Sequence, residues 1–185
     1  MISVENSLFL LSSGGMKNTI KKKLNQSTGF WLFKTEPSEF SLMDLKNNPN
    51  QTTCWNGVRN YQARNYLRDV VLLNDHVFIY HSSCQIPAIV GIAKIVRTGY
   101  PDHTAWDPAH AYYDPQSHAS HPIWYMVDVL LVCEFNQPIT LSKIKATPNL
   151  KNMRLVQKGS RLSIQPVTSK EWSEILGIEK NCKNF

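Results

Sequence analysis

Apolar positions cluster into five β-rich runs separated by polar or helix-patterned segments. The first, "FWLFKTEP" from Phe30, is ended by Pro37, which biases the residue before it toward extended backbone. "DHVFIYHS" alternates, and "AIVGIAKIVRTGY" and "IWYMVDVLLVCEF" are longer runs. Gly91 inside the third run marks a bulge or a point of close packing. "RLSIQPV" is the last strand. Between them lie helix signals. Ser41-Leu42-Met43-Asp44 has the form of a capping box, opening a short helix that Pro49 prevents from continuing. Arg59 to Arg68 fits a second helix and Thr140 to Ala146 a third. Thr168-Ser169-Lys170-Glu171 caps a closing helix that carries Trp172, Ile175 and Leu176 on one side. The order β-α-α-β-β-β-α-β-α is not an alternating βαβ pattern. It predicts an α+β fold in which mostly antiparallel strands form a small mixed barrel with helices packed around it.

The 185 residues suit one domain, with 42% hydrophobic and 18% charged residues in the range of a globular protein. The ordered unit is expected to span residues 30–176. Residues 1–29, rich in Ser, Asn, Lys and Gly, read as a basic N-terminal extension, and residues 177–185 as a C-terminal tail. Met16, after Gly14-Gly15, is a candidate start. Lys21-Lys22-Lys23 is either a phosphate contact or a solvated run. No window approaches the ~18–20 apolar residues that span a bilayer, and Leu8-Phe9-Leu10-Leu11 is too short for a signal-peptide core, so no membrane is expected.

The net charge of +6 invites a nucleic-acid reading, but its distribution changes that picture. Residues 1–29 carry +3 and residues 177–185 carry +1, which leaves the body at +2. A body so balanced gains little from phosphate attraction alone, so any nucleic-acid selectivity must come from a shaped site.

Cys54, Cys84, Cys133 and Cys182 are far apart, without a C-x-x-C pair. That spacing argues against a structural zinc site and against a secreted disulfide scaffold, and favours a reducing, cytoplasmic setting. The stretch from Pro101 to Pro122 stands apart, with four Pro, four His and three Asp but little apolar periodicity. His103, His110, His118 and His121 with Asp102, Asp107 and Asp114 supply enough ligands for a metal-dependent or metal-free hydrolase or nuclease. Their spacings match no compact metal site, and a hydrogen-bonded, proline-braced loop fits them better. His81-Ser82-Ser83-Cys84 sets possible nucleophiles beside a base, yet adjacent residues seldom face each other and no nucleophile elbow is present. Neither a P-loop nor a G-x-G-x-x-G occurs.

Aromatic and amide residues carry the remaining signal. Trp55, Tyr61, Tyr80, Trp124 and Tyr125 fall at strand ends or turns, and Asn56, Arg59 and Asn60 accompany the first. In "CWNGVRNYQARNYLRD" the Trp55 ring is either buried to close a core or held out for a ligand. Together with Ser160-Arg161-Leu162-Ser163 these residues suggest a pocket in which rings stack on an unpaired base while amides and backbone groups read its edge.

"WLFKTEPSEFS", "CWNGVRNYQARNYLRD", "VFIYHSSC", "YYDP", "WYMVDV" and "VQKGSRLSIQPVTSKEW" resemble, in order and spacing, the EVE-domain family, the family of thymocyte nuclear protein. The resemblance covers about residues 30–176. It implies a PUA-like β-barrel related to the YTH and ASCH domains. It also implies a non-catalytic reader of a modified base, such as methylated or hydroxymethylated cytosine, in DNA or RNA, with no cofactor and no metal. Carried onto this chain, Trp55 and Asn56 would form one wall, and Arg59 and Asn60 would brace that turn or touch phosphate. Tyr80, His81 and Ser82 would come from a strand end, with Trp124 opposite. Ser160, Arg161, Leu162 and Ser163 would close the remaining side.

Overall fold

A computed structural model describes residues 29–179 and Cys182. The expected N-terminal extension lies outside the described residues except for Gly29, and so does most of the C-terminal tail. The described chain forms strands β1 (Phe30–Thr35), β2 (Thr52–Trp55), β3 (His76–His81), β4 (Ala88–Pro101), β5 (Tyr125–Thr140) and β6 (Ile164–Val167). Helices α1 (Leu42–Asn47), α2 (Tyr61–Asn65), α3 (Leu141–Ala146) and α4 (Ser169–Ile178) pack around them.

The six strands make one sheet in the order β2-β5-β4-β3-β1-β6. All neighbours are antiparallel except β1 and β3. The expected α+β class and mostly antiparallel pairing are therefore present. The expected barrel is open: β2 and β6 are the edges, and they are not paired to each other. The short strand β2 has no counterpart in the sequence pattern, because Thr52, Thr53 and Cys54 carry no apolar alternation. It forms because β5 is long enough to pair with both it and β4.

Alternation along β1 and β3 divides the core in two. Trp31, Phe33, Val77 and Ile79 face one cluster, which includes Trp55, Val58 and Leu162. Leu32, Phe78 and Tyr80 face the other, with Trp172 and Ile175 of α4. Phe78 stacks on Trp172 with ring centroids 3.8 Å apart. Both predicted capping boxes are present. Ser41 and Asp44 satisfy each other's backbone at α1, and Thr168 and Glu171 do so at α4. Gly91 sits where the β4–β5 register shifts, and a Cβ there would come within 2.6 Å of the Cys133 carbonyl. Close approach of two backbones is what fixes glycine here.

Two local expectations are corrected. The helix read from Arg59 to Arg68 begins at Tyr61, because the Asn60 side chain caps it through the Ala63 N–H. It then widens into a π-helical turn over Tyr66–Val70. Cys133 and Cys182 are joined by a disulfide that ties the chain beyond α4 to β5, a pairing that 49 residues of separation and no motif concealed. Cys54 and Cys84 are free thiols. No helix among the described residues is long and apolar enough to cross a membrane.

Candidate nucleic-acid interface

The C-terminal ends of the parallel strands β1 and β3 lie side by side at Thr35 and His81. Beyond them opens a cleft of about 1020 Å³. One wall is the segment from Thr53 through Arg59; the others come from Lys34–Glu36 with Glu39 and Phe40, from Ser82–Ser83, from His110–Tyr112, and from Arg161 with Ser163. Residues more than 100 positions apart meet here because β1 pairs with β6 on one side, while β2 is carried in by β5.

The turn after β2 is built around Asp102, whose side chain is fully buried. Asp102 accepts hydrogen bonds from the Gly57 N–H (3.0 Å), the Arg59 guanidinium (2.8 Å), and the N–H and hydroxyl of Thr104 (3.0 and 2.6 Å). Burial works against charge on this carboxyl. The hydrogen bonds from Arg59, Thr104 and Gly57 outweigh it and hold Asp102 below the ordinary carboxylate range. Arg59 also donates through Nε to the Tyr112 carbonyl at 3.0 Å and through NH2 to the same oxygen. Its guanidinium lies 5.6 Å from the Tyr112 ring centre and 5.4 Å from that of Trp124. So committed, Arg59 is a brace that fastens the cleft turn to the His/Asp loop.

That loop spends its polar groups on its own geometry. Asp107 accepts from the Ala109 N–H, Asp114 from Gln116 N–H and the Trp124 indole, and His110 Nδ1 from the Tyr112 N–H. His118 and His121 form a backbone bridge. No group of three or more His, Cys, Asp or Glu among the described residues is placed to hold a metal ion. The loop contributes His110, Ala111 and Tyr112 to the cleft, and the Tyr112 ring covers Gly57, which holds φ +72°. His81, Ser82, Ser83 and Cys84 make no nucleophile–base pair. His81 Nε2 accepts the Leu42 N–H at 3.1 Å, while Ser82 and Ser83 donate to the Thr35 carbonyl and to Glu36.

On the far wall, the segment before β6 is set by buried Gln165, whose amide donates to Ser160 Oγ (3.0 Å) and to the Leu162 carbonyl (2.8 Å). The Lys34 N–H donates to the Ser163 carbonyl at 2.8 Å, and Lys34 Nζ to the Ser160 carbonyl at 3.0 Å. Burial pushes the Lys34 ammonium below its usual value. Arg161 is then exposed at the rim, and its side chain makes no hydrogen bond or ion pair to any described residue. Asp128 accepts from the Tyr100 hydroxyl.

The EVE-domain profile matches residues 29–178, essentially the whole described chain. The chain belongs to the EVE-domain family. Thymocyte nuclear protein 1 of Mus musculus is 43% identical over 186 residues, covering 91% of this chain and 81% of that protein. Among solved structures, a Pseudomonas syringae protein is 46% identical with a TM-score of 0.77, covering 80% of this chain and 98% of its own. The human THYN1 protein, solved in complex with 5-methylcytosine-containing DNA, is 43% identical with a TM-score of 0.78, covering 83% of this chain and 99% of its own.

Within this EVE domain, six of the twelve residues expected at the site line the cleft: Trp55, Asn56, Arg59, Ser82, Arg161 and Ser163. The other six do not. Tyr80 is in the second core, where burial pushes its hydroxyl up to about 12. Leu162 is in the first core, and Trp124 is buried behind Arg59. Asn60 caps α2, His81 caps the start of α1, and Ser160 anchors Gln165 and Lys34. Trp55 is only 7% exposed and packed against Phe33 and Phe40, while part of it lines the cleft. Sequence reasoning missed Lys34, Phe40 and Tyr112. Tyr112 lay inside the quoted "YYDP" motif, and Lys34 and Phe40 inside "WLFKTEPSEFS", but only the three-dimensional pairing shows which side they face.

Proposed function

We propose that this chain is a non-catalytic reader that binds a modified cytosine of DNA in the cleft between Trp55, Tyr112 and Arg161. One observation carries the reading: the human THYN1 protein, whose fold this chain shares at 43% identity, was solved with 5-methylcytosine-containing DNA. The local chemistry supports it. Trp55, Phe40 and Tyr112 offer aromatic surface, Asn56 an amide, and Arg161 a planar fork of donors free for a base edge or a phosphate. The arrangement lacks a nucleophile–base pair, which is why binding rather than hydrolysis is the proposal. Residues 30–176 are the proposed binding unit, with 1–29 and 177–185 as flanks. RNA carrying the same modification is the competing partner, and a cytoplasmic setting is the proposed location.

A base held in such a cleft must leave its stack, which costs a few kcal/mol and frees its neighbours. A duplex carrying 5-methylcytosine beside 2-aminopurine should brighten on binding as the fluorescent base unstacks. The RNA counterpart run in parallel separates the two partners. Binding without brightening would mean that the base stays in the helix and that the cleft is not its pocket.

A further inference from the structure

Outside the cleft, a second aromatic surface is connected to it by direct contacts. Tyr61 opens α2 immediately after its cap, Asn60, and 58% of the residue is exposed. An exposed tyrosine is ordinary; one held in place is not. The Tyr61 ring lies against Trp124 with centroids 5.0 Å apart and planes 31° from parallel. The Arg64 guanidinium is 5.1 Å from the Tyr61 ring centre and is itself fixed by donating to the Ile123 carbonyl at 2.5 Å. Trp124 is locked in turn by its indole N–H on Asp114 at 2.6 Å. From Trp124 the contacts continue through Arg59 to Tyr112, which lines the cleft. Each step is 5.0–5.6 Å. One turn beyond Arg64, Arg68 lies over Tyr125 at 5.6 Å. Arg68 is also paired with Asp69 at 2.8 Å, which leaves Arg64 as the cation beside the Tyr61 ring. The result is a flat, pre-positioned ring on a residue 58% exposed, joined to the cleft by these contacts.

Resting on the cleft reading above, we infer that Tyr61 is a stacking platform for an unpaired base flanking the modified nucleotide. A base has an apolar face and stacks on a tyrosine whatever its identity, so this platform adds affinity without adding selectivity. The Arg64 guanidinium beside the ring suits a phosphate next to that base. Ordering a ring costs side-chain entropy on binding; here Trp124 and Arg64 have removed that cost in advance.

The test uses a short single-stranded oligonucleotide with one 5-methylcytosine, its plain counterpart, and the nucleoside 5-methyl-2′-deoxycytidine. Tyr61→Ala should weaken both oligonucleotides about 5- to 150-fold, the range of an aromatic–base stack, with an unchanged modified-to-plain ratio. Nucleoside affinity should not change. Tyr61→Phe should bind as the parent does. Tyr61→Leu, which still covers Trp124 but lacks a flat face, should bind as Tyr61→Ala does, so that lost packing is separated from lost stacking. Trimming the flanking nucleotides should erase the effect of Tyr61→Ala. Equal oligonucleotide affinity for Tyr61→Ala and parent would overturn the platform, as would an equal loss for nucleoside and oligonucleotide. The cleft reading fails differently: a parent protein that binds modified and plain oligonucleotides alike removes it whatever Tyr61 does.

Discussion

The ring of Tyr112 lies over the Cα of Gly57, so closely that a Cβ there would fall inside the ring's van der Waals surface. Gly57 also holds φ +72°, a conformation that side-chain-bearing residues rarely adopt. Gly57→Ala must therefore both strain the backbone and displace Tyr112. It should lower stability by about 1–3 kcal/mol in denaturant unfolding and weaken binding of modified DNA. Unchanged unfolding and affinity together would mean that Tyr112 moves aside freely and forms no wall.

Asp102→Asn keeps the side chain's shape and removes its charge. The Arg59 guanidinium would lose its buried counter-ion, and the amide's NH2 group would face either the Thr104 donors at one oxygen position or the Gly57 and Arg59 donors at the other. A loss of about 3–5 kcal/mol is expected, the scale of a broken buried pair. Arg59→Lys should cost less, because it retains charge but forfeits the two bonds to the Tyr112 carbonyl. Unfolding curves of the two variants check the order.

His81 carries a pH prediction. Burial lowers its pKa below the ordinary 6.5, in keeping with a ring nitrogen that accepts the Leu42 N–H. The unfolded chain then binds a proton more readily than the native one below that value. Stability from this group is full above pH 6.5 and falls as pH drops through the window beneath it. His81→Gln, which keeps an acceptor and does not titrate, should flatten the decline between neutral and mildly acid pH. His76, whose pKa burial also lowers, retains its share. An identical pH profile for variant and parent would show that His81 is not part of it.

What the sequence disclosed was periodic or covalently local. The apolar run ended by Pro37 in "FWLFKTEP" and the alternation in "DHVFIYHS" placed β1 and β3, and the boxes at Ser41 and Thr168 placed α1 and α4. What it concealed depends on register. Tyr80 sits one residue from Ile79 and so faces the opposite core, and the register shift between them makes the count harder still. Strand β2 has no pattern of its own, since its place is dictated by β5. Trp55 and Arg161 were legible as candidates, but not their difference. Trp55 is so buried that Trp55→Ala would cost about 3–5 kcal/mol in packing. Arg161 is exposed, and its side chain makes no hydrogen bond or ion pair among the described residues.

Arg161 is therefore the cleaner probe. Arg161→Ala should leave stability within about 0.5 kcal/mol, as befits an exposed side chain without a hydrogen-bond or ion-pair partner among the described residues. Arg161→Lys keeps the charge and discards the fork. If the fork reads the base, modified-over-plain selectivity should fall by about 1–3 kcal/mol. If it meets phosphate alone, both oligonucleotides should weaken together. A drop in melting temperature with both affinities intact would return Arg161 to the scaffold.

The central claim is that the cleft selects a modified base. The most direct measurement is the affinity of the parent protein for two DNA oligonucleotides that differ only by one methyl group at cytosine C5, taken at one fixed salt concentration. A methyl group seated in a shaped pocket is worth about 1–3 kcal/mol, so the methylated strand should bind at least about fivefold more tightly. Gly57→Ala, which disturbs the wall at Tyr112, should narrow that ratio. Equal affinities of the parent protein for the two strands would contradict the account.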